Sequence, residues 1–136
     1  MYHKISKIKY KRLRNYLAIP FILGGAIPLV FFDFFLELYH QPAFRLYGLK
    51  VNKRRNYIKI DGQKLSYLSA TDKLWCMYCG YANGLMAYAV KIVGDTEKYW
   101  CGIKHQPSKD FIPQKHQEHF LEYGDEKAYE EFINKK

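Results

Sequence analysis

The chain has 136 residues and a net charge of +9, from 22 Lys and Arg against 13 Asp and Glu. This length fits one domain, and three cysteines, an odd number, argue against a fully paired disulfide framework. The basic excess suits an anionic membrane surface or nucleic acid. Six basic residues directly precede an apolar run, which favours the membrane and makes nucleic acid the weaker hypothesis. They are Lys4, Lys7, Lys9, Lys11, Arg12 and Arg14.

The apolar run begins near Tyr16, and residues 17–32 contain no charged side chain. These 16 positions are fewer than the roughly 20 that a straight transmembrane helix needs. Two prolines flank Gly24-Gly25, so the chain can kink or turn back there. One interpretation is a kinked transmembrane helix, another is a re-entrant hairpin, and a third is a buried core helix of a soluble protein. We favour the re-entrant form, because seven further Lys and Arg follow by residue 64 and both flanks would then be cytoplasmic.

Aromatic residues mixed with charges follow the run and predict an interfacial stretch up to residue 49. The predicted localisation is the cell inner membrane, with the soluble part in the cytoplasm and with a protein partner in the membrane. Eight residues are predicted to contact the membrane. They are Lys11, Arg12, Arg14, Phe21, Ile22, Phe31, Phe32 and Arg45.

The soluble part begins with a predicted β-hairpin. Residues 57–60 are β-prone, Asp61-Gly62 is a strong signal for a two-residue turn, and residues 64–68 would form the second strand. A Cys-x2-Cys motif at Cys76 and Cys79 follows, with glycine directly after it. This spacing is typical of a metal knuckle, but a redox dithiol uses the same spacing, and two buried unliganded cysteines are a third possibility.

A second pair of ligand-type residues, Cys101 and His105, is four residues apart and would share one face of a helix. Together the pairs give C-x2-C-x21-C-x3-H, enough for a closed Cys3His site. The 21 residues between them would have to fold back. Gly94 as a C-terminal cap and Asp95 as the next N-cap predict a helical hairpin, with helices over 83–93 and 96–105.

Zinc is the predicted cofactor, since a closed site rich in thiolates suits it, and iron is the alternative. A fully liganded metal leaves no open position for a substrate, which argues against metal hydrolase chemistry. His116 and His119 are three apart and could bind a second metal, although a solvated helix face is the favoured interpretation.

The segments YCGYANG (residues 78–84), TEKYWC (96–101) and IKH (103–105) resemble an uncharacterised family of small bacterial membrane-associated proteins. The resemblance covers about a third of the chain strongly. It implies a metal-ligand role for Cys76, Cys79, Cys101 and His105, and it implies no particular activity.

The predicted fold class is α+β, with an N-terminal membrane-embedded or re-entrant helical segment and a small metal-stapled domain. The predicted divisions are a basic flank (1–15), a membrane segment (16–49), a metal-binding domain (50–110) and a polar helical tail (111–136). The predicted function is a non-enzymatic adaptor or accessory subunit with structural zinc. The alternatives are a rubredoxin-like iron electron-transfer partner and a membrane-surface enzyme using Asp33, Glu37 and His40.

Overall fold

The computed structural model describes residues 9–134 and the side chains of 13, 14 and 16–134. Three α-helices make up most of this part: α1 (Lys9–Leu46), α2 (Ala70–Trp100) and α3 (Glu126–Asn134). Short 3-10 turns lie at Arg54–Asn56, Gly62–Lys64 and Lys115–Gln117. The chain divides into two compact units, Met1–Leu85 and Met86–Lys136, and the boundary falls inside α2.

Helix α1 is continuous over 38 residues, with Pro20, Pro28 and Pro42 inside it. The predicted re-entrant hairpin is therefore wrong, because the chain does not turn back at Gly24-Gly25. A turn there would leave backbone N–H and C=O groups without partners among apolar side chains, at a cost of several kcal/mol per group in a hydrocarbon environment. A helix that loses one hydrogen bond at each proline leaves fewer such groups unpaired.

The connecting segment, residues 47–69, turns at Gly48 (φ 70°) and runs back along α1. Leu49 donates its backbone N–H to the carbonyl of Phe44, and Asn52 donates its own to His40 Nε2. Leu36 and Phe44 of α1 and Leu85 of α2 are buried and form the core of the first unit.

The predicted β-hairpin is wrong, and with it the α+β fold class, since no strand occurs within residues 9–134. A type I′ turn needs positive φ at both central residues, but Asp61 has φ −124° and is followed by a 3-10 turn. Tyr57 has right-handed helical backbone angles. Residues 57–60 pack on glycines of α2, where a Cβ at Gly84 would lie 2.7 Å from the carbonyl oxygen of Tyr57.

Helix α2 begins after Ser69, whose hydroxyl accepts a hydrogen bond from the backbone N–H of Asp72. Ser69 is therefore the N-cap residue of α2, and its hydroxyl also donates to Asp72 Oδ2 at 2.7 Å. The predicted helical hairpin is wrong, because α2 continues through Gly94 and Asp95. Asp95 pairs with Lys91 one turn earlier instead of capping a new helix, and Gly94 is buried against the ring of His116.

The second unit packs its loops around the C-terminal part of α2. Gly102, with φ 63°, ends the helix, as a left-handed glycine often does. Ile103 then forms an isolated parallel bridge with Leu121, and α3 begins after Asp125, whose carboxylate accepts the N–H of Ala128. The buried apolar residues of this unit are Tyr88, Ala89, Ile92 and Phe120.

Candidate functional site

An exposed apolar row on α1 is the most prominent surface feature of the first unit. We define the apolar face as Leu23, Ile27, Val30, Phe31, Phe34, Phe35 and Leu38, which are 49–64% exposed. Their spacing of three and four residues puts them on one side of the helix. At 3.6 residues per turn this side is turned away from Leu36, His40 and Phe44, which are buried.

Among the helices of the described residues, only α1 is long and apolar enough to cross a membrane, over Tyr16–Leu46. Only 6% of its most apolar 18-residue window is buried, whereas the core helix of a soluble protein would be mostly buried. The core-helix interpretation is therefore disfavoured.

The predicted membrane contacts that the structure describes all lie on the surface of α1. Arg14 and Arg45 are exposed, Phe21 and Phe31 are 83% and 61% exposed, and Ile22 and Phe32 are each 41% exposed. The side chains of Lys11 and Arg12 fall outside the described residues. Sequence reasoning identified the apolar stretch but did not define which side of the helix is free.

Asp33 of α1 joins all three parts of the first unit. Arg54 of the connecting segment donates to both carboxylate oxygens, at 3.2 Å from Nε to Oδ1 and by a shorter contact to Oδ2. The hydroxyl of Tyr81 on α2 donates to Oδ2 at 2.9 Å. The hydrogen bond to Asp33 raises the pKa of Arg54. Burial is the main cause that raises the pKa of Tyr81, and the hydrogen bond to the Asp33 carboxylate is the second. Arg54 thus stays a cation and Tyr81 a donor at neutral pH.

The two other polar residues proposed for membrane-surface chemistry also have partners inside the unit. His40 is fully buried, and its Nε2 accepts the N–H of Asn52 at 3.2 Å, so this nitrogen carries no proton. Glu37 accepts a hydrogen bond from Gln41 one turn away, at 2.8 Å. Asp33 and His40 therefore fix other segments of the unit on α1, whereas the contact of Glu37 lies within the helix.

Three small residues of α2 spaced four apart, Cys76, Gly80 and Gly84, form a groove on one side of the helix. The backbone of the connecting segment lies directly against this small-residue groove. A Cβ at Gly80 would lie 2.8 Å from the carbonyl oxygen of Lys59, and one at Gly62 would lie 2.5 Å from Cys76 Sγ. The motif that predicted a metal knuckle thus provides close backbone packing. Its spacing of small residues was the sequence signal for this role.

The predicted ligands Cys76, Cys79, Cys101 and His105 do not form one site. Cys76 and Cys79 lie on regular α-helix, and α2 runs unbroken to Trp100, so the chain does not fold back between the pairs. Helix α2 ends before Cys101, and Gly102 turns the chain, so Cys101 and His105 do not share a helix face. Within the described residues, no three His, Cys, Asp or Glu side chains could hold a metal ion. The metal staple of the predicted fold is wrong, and zinc or iron binding in another state stays a prediction.

In the second unit, Glu97 of α2 is the polar centre that sequence reasoning missed. Its carboxylate oxygens lie 2.7 Å from His116 Nε2 and 2.6 Å from the amide nitrogen of Gln117. His105 Nε2 is farther away, 3.8 Å from Glu97 Oε1, and its ring packs edge-on against Phe111. Nothing in the sequence signalled this cluster, since Glu97 and His116 are 19 residues apart. Because His116 bonds to Glu97, it does not form the predicted exposed pair with His119.

Tyr78 and Tyr81 of α2 both donate hydrogen bonds to α1. Tyr78 donates its hydroxyl to the backbone carbonyl of Ile22 at 3.1 Å. The resemblance to a small bacterial membrane-associated family stays a prediction. Comparison of the chain with protein-family models, curated proteins and solved structures gives no match in any of the three.

Proposed function

We propose that this chain is a non-enzymatic adaptor of the cell inner membrane, attached through α1 with its other parts on the cytoplasmic side. The observation that carries the proposal is the apolar face, whose large side chains are 49–64% exposed among the described residues. Contiguous exposed apolar surface of this kind marks contact with a membrane or another protein.

The connecting segment favours insertion into one leaflet over a complete crossing. It runs back along α1 as far as Asp33 and carries exposed charged side chains beside the helix. A crossing by the whole of Tyr16–Leu46 would bring those charges into the hydrocarbon, at a cost of about 2.5–3.5 kcal/mol per Lys or Arg near its centre. They are Lys50, Lys53, Arg54, Arg55, Lys59 and Lys64. At the headgroup layer the same side chains would be favourable.

The adaptor role is supported by the way the polar side chains near the membrane segment are used. Asp33, Glu37 and His40 are each engaged by a neighbouring group of the same unit. An adaptor needs a protein partner at the membrane, and we propose that the chain holds its second unit there for one. The Cys3His zinc site does not enter this proposal, because α2 is continuous between its halves.

The test places a lysine in the apolar face of the full-length chain. Phe31→Lys is expected to reduce the fraction that stays with membranes after alkaline carbonate washing, because an ammonium group would have to enter the apolar layer. Tyr67→Lys on the connecting segment, where the tyrosine is 79% exposed, is the control and should stay bound like wild type. Equal retention of both variants would show that the apolar face does not contact lipid.

Reporters on both termini test the one-sided arrangement separately. One-leaflet insertion puts both reporters in the cytoplasm, whereas a crossing helix puts them on opposite sides. If the two reporters lie on opposite sides and Phe31→Lys still shows reduced membrane retention, α1 remains the membrane anchor but the one-sided arrangement is overturned.

A further inference from the structure

We propose that Cys76 and Cys79 form a redox-active dithiol that closes reversibly to a disulfide within α2. Both thiols are free and exposed, and they are three residues apart on one helix. Residues at this spacing face the same side of an α-helix. The pair therefore presents two neighbouring nucleophiles to a soluble oxidant.

Helix geometry allows this bond with a local adjustment. At 3.6 residues per turn and 1.5 Å rise, Cα atoms three residues apart are about 5 Å apart, inside the range of roughly 4.4–6.8 Å found in disulfides. Their Cβ atoms are about 5–6 Å apart, more than the roughly 3.5–4.5 Å that a disulfide needs. Closing this gap therefore requires the turn that contains the two cysteines to distort locally from regular α-helical geometry.

The surroundings of the pair make such a local distortion feasible. Gly80 directly follows Cys79, and glycine in a helix interior lowers the local preference for regular α-helix. The side chain of Asn83 donates to the carbonyl of Cys79 at 2.9 Å and gives this carbonyl a side-chain partner at the turn. Cys76 Sγ lies over Gly62, so rotation of this thiol toward Cys79 alters the packing of the connecting segment on the small-residue groove.

The reaction needs an oxidant, and this oxidant is a small-molecule disulfide such as glutathione disulfide. The thiolate of Cys79 attacks one sulfur of that disulfide, whose S–S bond breaks and releases one glutathione thiolate. The thiolate of Cys76 then attacks Cys79 Sγ and expels the second glutathione thiolate. Two electrons pass from the cysteine sulfurs to the oxidant, and the two thiol protons end on the two glutathione molecules released.

The experiment treats the full-length protein with glutathione disulfide and counts free thiols with a maleimide that shifts gel mobility. Wild type is expected to fall from three free thiols to one, without a glutathione adduct or a dimer, and to recover all three in dithiothreitol. Cys101→Ser, the control, should fall from two to none. Cys76→Ser and Cys79→Ser should each keep a stable glutathione adduct on the remaining partner.

Several results would overturn the proposal. They are three reactive thiols retained in wild type, a stable glutathione adduct on it, disulfide-linked dimers, or a disulfide that involves Cys101. Circular dichroism of each variant checks that the helices are intact, so that a changed thiol count reports on the dithiol and not on unfolding.

Discussion

At the scale of single residues, Asp33 connects α1, the connecting segment and α2 through one carboxylate. Arg54 and Tyr81 each donate to it, and its side chain is only 14% exposed. The sequence predicted Asp33 as an interfacial residue, with a catalytic acid as the alternative, since an acid at the end of an apolar run is compatible with both roles. The two donors lie 21 and 48 residues further along the chain, and no local pattern indicates such partners.

Asp33→Ala is expected to destabilise the protein by about 1–3 kcal/mol, because it leaves Arg54 and Tyr81 without their shared acceptor. The upper end is reached only if Arg54, which is 42% exposed, fails to turn to water. Chemical denaturation in mild detergent, followed by circular dichroism, measures the change. Asp61→Ala, at an exposed aspartate of the connecting segment, is the control and should change stability by less than about 0.5 kcal/mol.

At the scale of elements, the glycines of the two long helices have different functions. Gly24 lies on α1, where an added Cβ would meet nothing within 4 Å. Gly84 lies in the small-residue groove, where an added Cβ would lie 2.8 Å from the Cα of Ile58. The sequence analysis took Gly94 as a C-terminal helix cap, but Gly94 lies inside α2. A glycine that permits close approach has the same local appearance as one that ends a helix.

Gly84→Ala and Gly24→Ala are therefore expected to change stability in opposite directions. Alanine favours a helix interior by about 1 kcal/mol over glycine, so Gly24→Ala should be stabilising or neutral. At Gly84 the clash with backbone atoms outweighs this gain, and a net loss of about 1–3 kcal/mol is expected. Thermal unfolding of the two variants and of wild type measures the direction of each change in stability. A stabilised Gly84→Ala would mean that the connecting segment does not pack in the groove.

At the scale of the whole molecule, attachment to a membrane would combine apolar insertion with electrostatic attraction. The chain carries a net charge of +9, and basic residues near an anionic surface each contribute about 1 kcal/mol. Salt screens only the electrostatic part, since the Debye length falls from about 8 Å at 0.15 M to about 3 Å at 1 M.

Binding to vesicles that contain phosphatidylglycerol is therefore expected to weaken at 1 M salt without being lost, as measured by flotation. Phe31→Lys adds a positive charge and removes part of the apolar face. It should bind much less than wild type at high salt, where apolar insertion dominates. Complete release of wild type at high salt would indicate that attachment is electrostatic only.

The sequence by itself determined the apolar character of α1 and the basic residues on both sides of it, whereas the N-cap of α2 at Ser69 was not recognised. These are local properties, because hydropathy and capping depend on residues within a few positions of one another. Only the tertiary structure decided that α1 does not turn back, that α2 is unbroken, and that Cys76, Gly80 and Gly84 lie against the backbone of the connecting segment. The physical reason is that close approach and hydrogen-bond partners are set by chain segments 12 or more residues away, as with Asn52 on His40 and Gly62 against Cys76.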